Sequence, residues 1–186
     1  MTPQIQDPEV QVLAGLSSTL EIDHVSPVDD PWNGSPFQWI LKQPSRTKGA
    51  ISEALVAGWC AAKGFDVVRP TSSEADRIIH GYRMEIKLST LWRSGQYRFQ
   101  QLRDQEYDFA FCLGLSPFDA HAWLLPKAIL MEHVIGHMGQ HTGATGSDTA
   151  WLGFDAQLNK HDWMEAHGGR LADVSAILEA LGHGPY

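Results

Sequence analysis

The sequence predicts a mixed α/β layered domain. Three observations carry that prediction. Residues 45–63 repeat apolar positions at helical spacing, residues 76–90 read as two strands about a tight turn, and residues 107–115 form an apolar run of strand length. The chain has 186 residues, 43% of them hydrophobic and 19% charged, which suits one domain with a sizeable core. No apolar run reaches the roughly 20 residues of a membrane-spanning helix. A membrane is therefore not an expected partner.

Residues 1–35 are rich in Pro, Asp, Ser and Gly and are expected to form a partly ordered arm, with a short helix near residues 10–20. Residues 36–186 are expected to form a single domain. In SRTKGAISEALVAGWCAAK, Ile51, Leu55, Trp59 and Ala62 share a helix face, and Gly64 stands where the helix should stop. FDVVRP is a short strand closed by Pro70. DRII and YRMEIKLS flank His80-Gly81, a pair suited to a two-residue hairpin turn. Residues 98–106 are expected to be helical. YDFAFCLGL has the composition of a strand covered on both faces. AHAWLLP is a further strand, AILMEHVIGH a short helix, WLGF a strand and DVSAILEALG a C-terminal amphipathic helix.

The two cysteines, Cys60 and Cys112, both lie in apolar runs, so buried thiols are expected rather than a disulfide. The N-terminus lacks the basic and apolar segments of a secretory signal. Together these predict a cytoplasmic location. Net charge is −8. The charge is unevenly distributed: residues 42–103 hold 11 Lys and Arg against 5 Asp and Glu, a net of +6, and the remainder carries −14. One basic face on an acidic protein can still meet phosphates.

The chemistry concentrates in DRIIHGYRMEIKLST. Strand alternation puts Glu85 and Lys87 on one face and Met84, Ile86 and Leu88 on the other. The hairpin brings Asp76 back toward Glu85. Two converging carboxylates form a hard-oxygen site suited to Mg²⁺, and an adjacent ammonium can stabilise developing negative charge. Such a set has the parts for phosphodiester hydrolysis.

The string D-x8-E-x-K, after a helix with an interior glutamate, resembles the PD-(D/E)xK nuclease superfamily, over about residues 45–127. The resemblance implies a restriction-endonuclease-like core, a central mixed β-sheet flanked by helices. It implies metal binding by Asp76 and Glu85, with Glu53 as the acid on the preceding helix, and Lys87 as the catalytic lysine. FQQLRDQEYDFAFCLGL is similar to the glutamine-bearing helix and core strand of many members, which puts Gln100 or Gln101 at that assisting place; Gln101 is the preferred residue. The pattern departs at the usual proline: Ala75 precedes Asp76 and Pro70 lies six residues before it. Glu74 is thus a rival ligand, and the hairpin and strand alternation favour Asp76.

His133, His137 and His141 lie four apart, a spacing that would stack zinc ligands on a helix. Gly136 and Gly139 interrupt that helix, so a structural or DNA-contacting role is favoured. Residues 131–170 are the candidate DNA-recognition region. Within its Gly/Thr/Ser-rich loop, Gln140, His141, Thr142, Ser147 and Asp148 can contact phosphates or base edges. Arg46, Lys48, Arg93, Arg98 and Arg103 are candidate phosphate contacts. No GxSxG, Walker A or dinucleotide fingerprint occurs.

The expectation is a Mg²⁺-dependent endonuclease for double-stranded DNA, a type II restriction enzyme in its narrowest form, with Mn²⁺ able to substitute. Cleavage of both strands favours a homodimer. Rival expectations are a structure-specific repair or junction nuclease, a nuclease toxin, a non-catalytic DNA-binding module and a zinc-binding protein.

Overall fold

The computed structural model describes residues 8–24, 30–71, 73–138, 149–155 and 161–185. Five α-helices, eight strands and one 3₁₀ helix are assigned among them. Helices α1 (Pro8–His24) and α2 (Gln38–Leu41) precede α3 (Ser45–Ala62). Strands β1 (Val67–Val68), β2 (Arg77–Ile79), β3 (Tyr82–Thr90), β4 (Gln96–Leu102), β5 (Phe109–Leu115) and β6 (Ala120–Pro126) follow. The chain then forms α4 (Lys127–His133), β7 (Ala150–Asp155), a 3₁₀ helix (Asp162–His167), β8 (Gly168–Arg170) and α5 (Leu171–Leu181).

The fold is α+β, with a central, mostly antiparallel sheet flanked by helices. Six strands run in the order β1-β2-β3-β5-β6-β8. Only β3 and β5 pair in parallel within it, Glu85 opposite Ala110 and Lys87 opposite Cys112. Strands β4 and β7 form a separate antiparallel ribbon.

Helix α3 buries Ser52, Val56 and Cys60, one residue per turn, with Ile51, Leu55 and Trp59 packed alongside. Its end is fixed locally. Gly64 at φ +86 turns the chain, its amide donates to the Ala61 carbonyl and the Phe65 amide donates to the Cys60 carbonyl. This crossed pair satisfies carbonyls that the last helical turn leaves open. Helices α3 and α5 cover one sheet face through Val56, Met84, Phe111, Leu113, Val174 and Leu178. The β4–β7 ribbon, α4 and the 3₁₀ helix cover the other through Tyr97, Phe99, Cys112, Trp123, Leu130 and Met164.

Strand β5 is buried nearly throughout, because alternate residues enter the two core layers. Gly114 makes that possible at one point. A Cβ there would lie 2.9 Å from the Tyr97 ring, so the missing side chain lets the ribbon lie directly on the sheet. Tyr97 and Phe99 meet Trp123 edge-on at 6.1 and 6.2 Å. Both cysteines are free and buried, and burial pushes each thiol up to about 12.

The expected helix over residues 98–106 is replaced by β4. Its residues alternate Tyr97 and Phe99 inward with Gln96 and Arg98 outward, and its partner β7 lies some 50 residues later. A strand whose hydrogen bonds come from so distant a segment has no local signature beyond that short alternation. The expected short helix within the arm is α1, longer than anticipated. No described helix is long and apolar enough to cross a membrane.

Candidate functional site

The site is organised by the β2–β3 hairpin. His80 at φ 52 and Gly81 at φ 82 form a two-residue turn with both torsions positive, the geometry that matches strand twist. Ile79 then pairs with Tyr82 and Arg77 with Met84. The chain's last described segment locks this turn. The Gly184 amide donates to the His80 carbonyl at 2.8 Å, and a Cβ on Gly81 would meet the Gly184 backbone at 2.7 Å.

The hairpin register carries Asp76 to the flank of β3. The Asp76 amide donates to the Met84 carbonyl at 2.9 Å, and its carboxylate Oδ2 accepts from the Ile86 amide at 2.7 Å. That second bond occupies an amide that β2 is too short to reach. It also fixes the Asp76 carboxylate beside Glu85. Glu74, the rival residue, is exposed in the loop before β2.

Glu85 is only 7% exposed. Its Oε1 lies 2.6 Å from Lys87 Nζ, so the two residues that share a face by alternation also form an ion pair. Burial pushes the Glu85 carboxyl above its ordinary value and the neighbouring Asp76 charge adds to this, whereas Lys87 and Arg103 oppose it. Burial and the Glu85 charge likewise raise the Tyr107 phenol. Tyr107 donates its hydroxyl proton to the Arg103 carbonyl at 2.8 Å.

Glu53 faces the same hairpin from α3, but its carboxylate is engaged by Arg77 at 2.8 Å. The same guanidinium donates to the Asp76 carbonyl at 2.5 Å. Arg77 thus links the Glu53 carboxylate on the helix to the hairpin backbone at Asp76, a role that sequence reading did not assign to it. Strand register places it next to Asp76, which is the signal that was present.

Lys87 also opens onto a groove of about 350 Å³, lined among others by Ser45, Lys48, Ser89, Trp92, Arg98, Gln100 and Gln101. Both glutamines therefore reach the neighbourhood of Lys87, but from a strand. Pairing shifts between Phe99 and Leu102, and Gln101 takes φ +59. Such an irregularity re-aims side chains, and here it leaves both Gln100 and Gln101 exposed. Ser89, third on the Glu85–Lys87 face by alternation, is buried and accepts the Arg98 amide at 2.8 Å. That bond ties the ribbon to the strand that carries the site.

Of the other cations, Lys48 and Arg98 line the groove. Arg103 is near enough to Glu85 to favour its charged form. Arg46 is exposed on the first turn of α3, and Arg93 is exposed in the β3–β4 turn. Gln140, His141, Thr142, Ser147 and Asp148 lie outside the described residues. His133 ends α4 and stacks on Trp163 at 5.0 Å, while His137 follows Gly136 at φ +83, so these two do not share a helix face. Among the described residues no three His, Cys, Asp or Glu side chains are grouped as a metal cage.

Two carboxylates without a third protein ligand are compatible with Mg²⁺, which retains waters and takes further oxygens from a phosphate. They do not resemble a closed zinc site, which takes about four N or S ligands. The arrangement can hold a hard cation at Asp76 and Glu85 with a fixed ammonium beside it.

No family model and no curated protein matches the chain. Among solved structures, the bacterial homing endonuclease I-Ssp6803I is similar, with 14% sequence identity and a TM-score of 0.48 over 74% of this chain and 96% of that one.

Proposed function

We propose that this protein is a Mg²⁺-dependent endonuclease of the PD-(D/E)xK type that hydrolyses phosphodiester bonds in double-stranded DNA, and that it acts as a type II restriction enzyme. The observation that carries this reading is the buried Glu85–Lys87 pair, flanked by Asp76 and opening on a groove with Lys48 and Arg98. Burying an ion pair is seldom the best way to stabilise a sheet, because desolvation offsets the attraction. A perturbed carboxylate, Glu85, beside a groove lined by cationic and amide side chains is what a catalytic site requires.

In this reading Asp76 and Glu85 hold the cation, with Asp76 oriented by the Ile86 amide. The cation would lower the pKa of a bound water and offset phosphate charge. Lys87 positions the attacking water and donates to the phosphate oxygen that gains charge. Lys48 binds the flanking backbone, and Gln101 assists from the ribbon. Glu53, which Arg77 engages here, would complete the metal set or hold a second ion if freed from that pair. Mn²⁺ replaces Mg²⁺ because it accepts the same oxygen ligands. A homodimer presents two such sites to the two strands.

Digestion of unmethylated phage DNA with Mg²⁺, followed by end sequencing, tests the proposal. Discrete fragments with a common end sequence are expected. Cleavage confined to branched substrates would replace restriction by junction processing, and stoichiometric zinc in the purified protein would overturn the assignment of the metal.

A further inference from the structure

The β4–β7 ribbon has a second face that the core does not explain. Tyr97, Phe99, Leu102, Leu152 and Phe154 turn inward and anchor it to the sheet. Gln96, Arg98 and Gln100 turn outward along β4. Opposite them, Gly153 pairs with Arg98 and Asp155 with Gln96. The outward row is therefore three long hydrogen-bonding side chains at two-residue spacing, facing a partner strand with little bulk at its centre.

Arg98 is held in place. Its guanidinium lies 4.3 Å from the centre of the Trp92 ring and donates to Gln96 Oε1 at 3.2 Å. Its backbone amide is bound by Ser89 of the strand that carries Glu85 and Lys87. A planar guanidinium stacked on an indole loses less freedom on binding than a free one, and its fork suits two acceptors in one plane. Arg98 borders the Lys87 groove on one side and, on the other, a cavity of about 310 Å³ lined by Gln96, Trp151 and His161.

We propose that this ribbon face enters the major groove of duplex DNA and reads base edges, with Arg98 on guanine and Gln96 and Gln100 on adenine. The inference rests on the nuclease reading above and adds the part that chooses the sequence. A two-stranded ribbon fits the groove, whose width is about 12 Å. Arginine matches the O6 and N7 acceptors of guanine, and glutamine matches the N6 and N7 groups of adenine. The tether through Ser89 fixes the distance from the bases read to the phosphate cut.

The test is cleavage-site profiling on a randomised duplex library with Mg²⁺, comparing the unaltered protein with Arg98→Lys and Gln100→Ala. Lysine keeps the charge for a phosphate but loses the fork. Arg98→Lys is expected to reduce preference at one guanine position by about tenfold or more, with the other positions retained. Gln100→Ala is expected to relax an adenine position, and since that side chain is exposed the variant should fold normally. An unchanged preference with uniformly slower cleavage in both variants would make these residues phosphate contacts and overturn the inference. Cleavage by the unaltered protein with no base preference would also overturn it while leaving the nuclease reading intact. Absence of any DNA cleavage would remove both.

Discussion

Glu85 and Lys87 form a largely buried ion pair, a contact whose desolvation offsets much of its attraction. At 7% exposure, the charged form of Glu85 is disfavoured by burial, and the Lys87 ammonium 2.6 Å away opposes that cost. Lys87→Ala should therefore lower stability by about 3–5 kcal/mol, the cost of leaving one member of a buried ion pair unmatched. The double variant Glu85→Gln, Lys87→Met should recover most of that loss in denaturant unfolding, since no charge then remains buried. A pH series in metal-free buffer separates the terms further. The Glu85 carboxyl is raised in the folded state by burial above its ordinary value of 4.5. Its contribution to stability is thus fully present below 4.5 and is lost as pH rises through the raised folded-state value. Glu85→Gln, neutral throughout, should flatten that part of the curve; an unchanged slope would refute the raised carboxyl. The shared face of these two residues was legible in the sequence because alternation is strictly local. The Glu53–Arg77 pair was not, since it joins a helix to a strand whose packing no local rule dictates.

At the scale of elements, the hairpin and β4 make a contrast. His80-Gly81 encodes its own turn, so the β2–β3 register could be read before any tertiary contact was known. Strand β4 depends on β7 and on the space above Gly114, and neither is near it in sequence. Reading its glutamines as helical placed them near Lys87 by analogy but on the wrong kind of element. The bulge at Gln101 is what brings them there. A β-branched residue tolerates positive φ poorly. Gln101→Val should therefore destabilise by about 1–2 kcal/mol, while Gln101→Gly should stay within about 0.5 kcal/mol of the parent. Equal melting temperatures for the two variants would show that the bulge is not strained.

For the whole molecule, the layered α+β fold was legible from long periodic segments, and α3, β5, β6 and α5 lie close to their expected places. The sheet order, with β3 beside β5 rather than β4, was not, because neither strand's residues say which neighbour it pairs with. That order sets the site against a covered sheet centre with a polar groove at its edge. Asp76 and Glu85 together carry more charge than the Lys87 ammonium paired with Glu85 offsets, so a bound divalent ion should stabilise the fold. Mg²⁺ at 100 times its dissociation constant should add about 2.7 kcal/mol, and the rise in melting temperature should be much reduced in Asp76→Asn. A melting temperature indifferent to Mg²⁺ and Mn²⁺ would argue against metal binding there.

In the proposed mechanism, Lys87 acts with Asp76 and Glu85 on a phosphodiester. Single-turnover cleavage of duplex DNA in Mg²⁺ by the parent protein and by a folded Lys87→Ala variant measures it directly. Cleavage by the parent, none in excess chelator, and a rate lower by about 100-fold or more in the variant are expected. Equal rates in parent and variant, or Mg²⁺-independent cleavage, would contradict it.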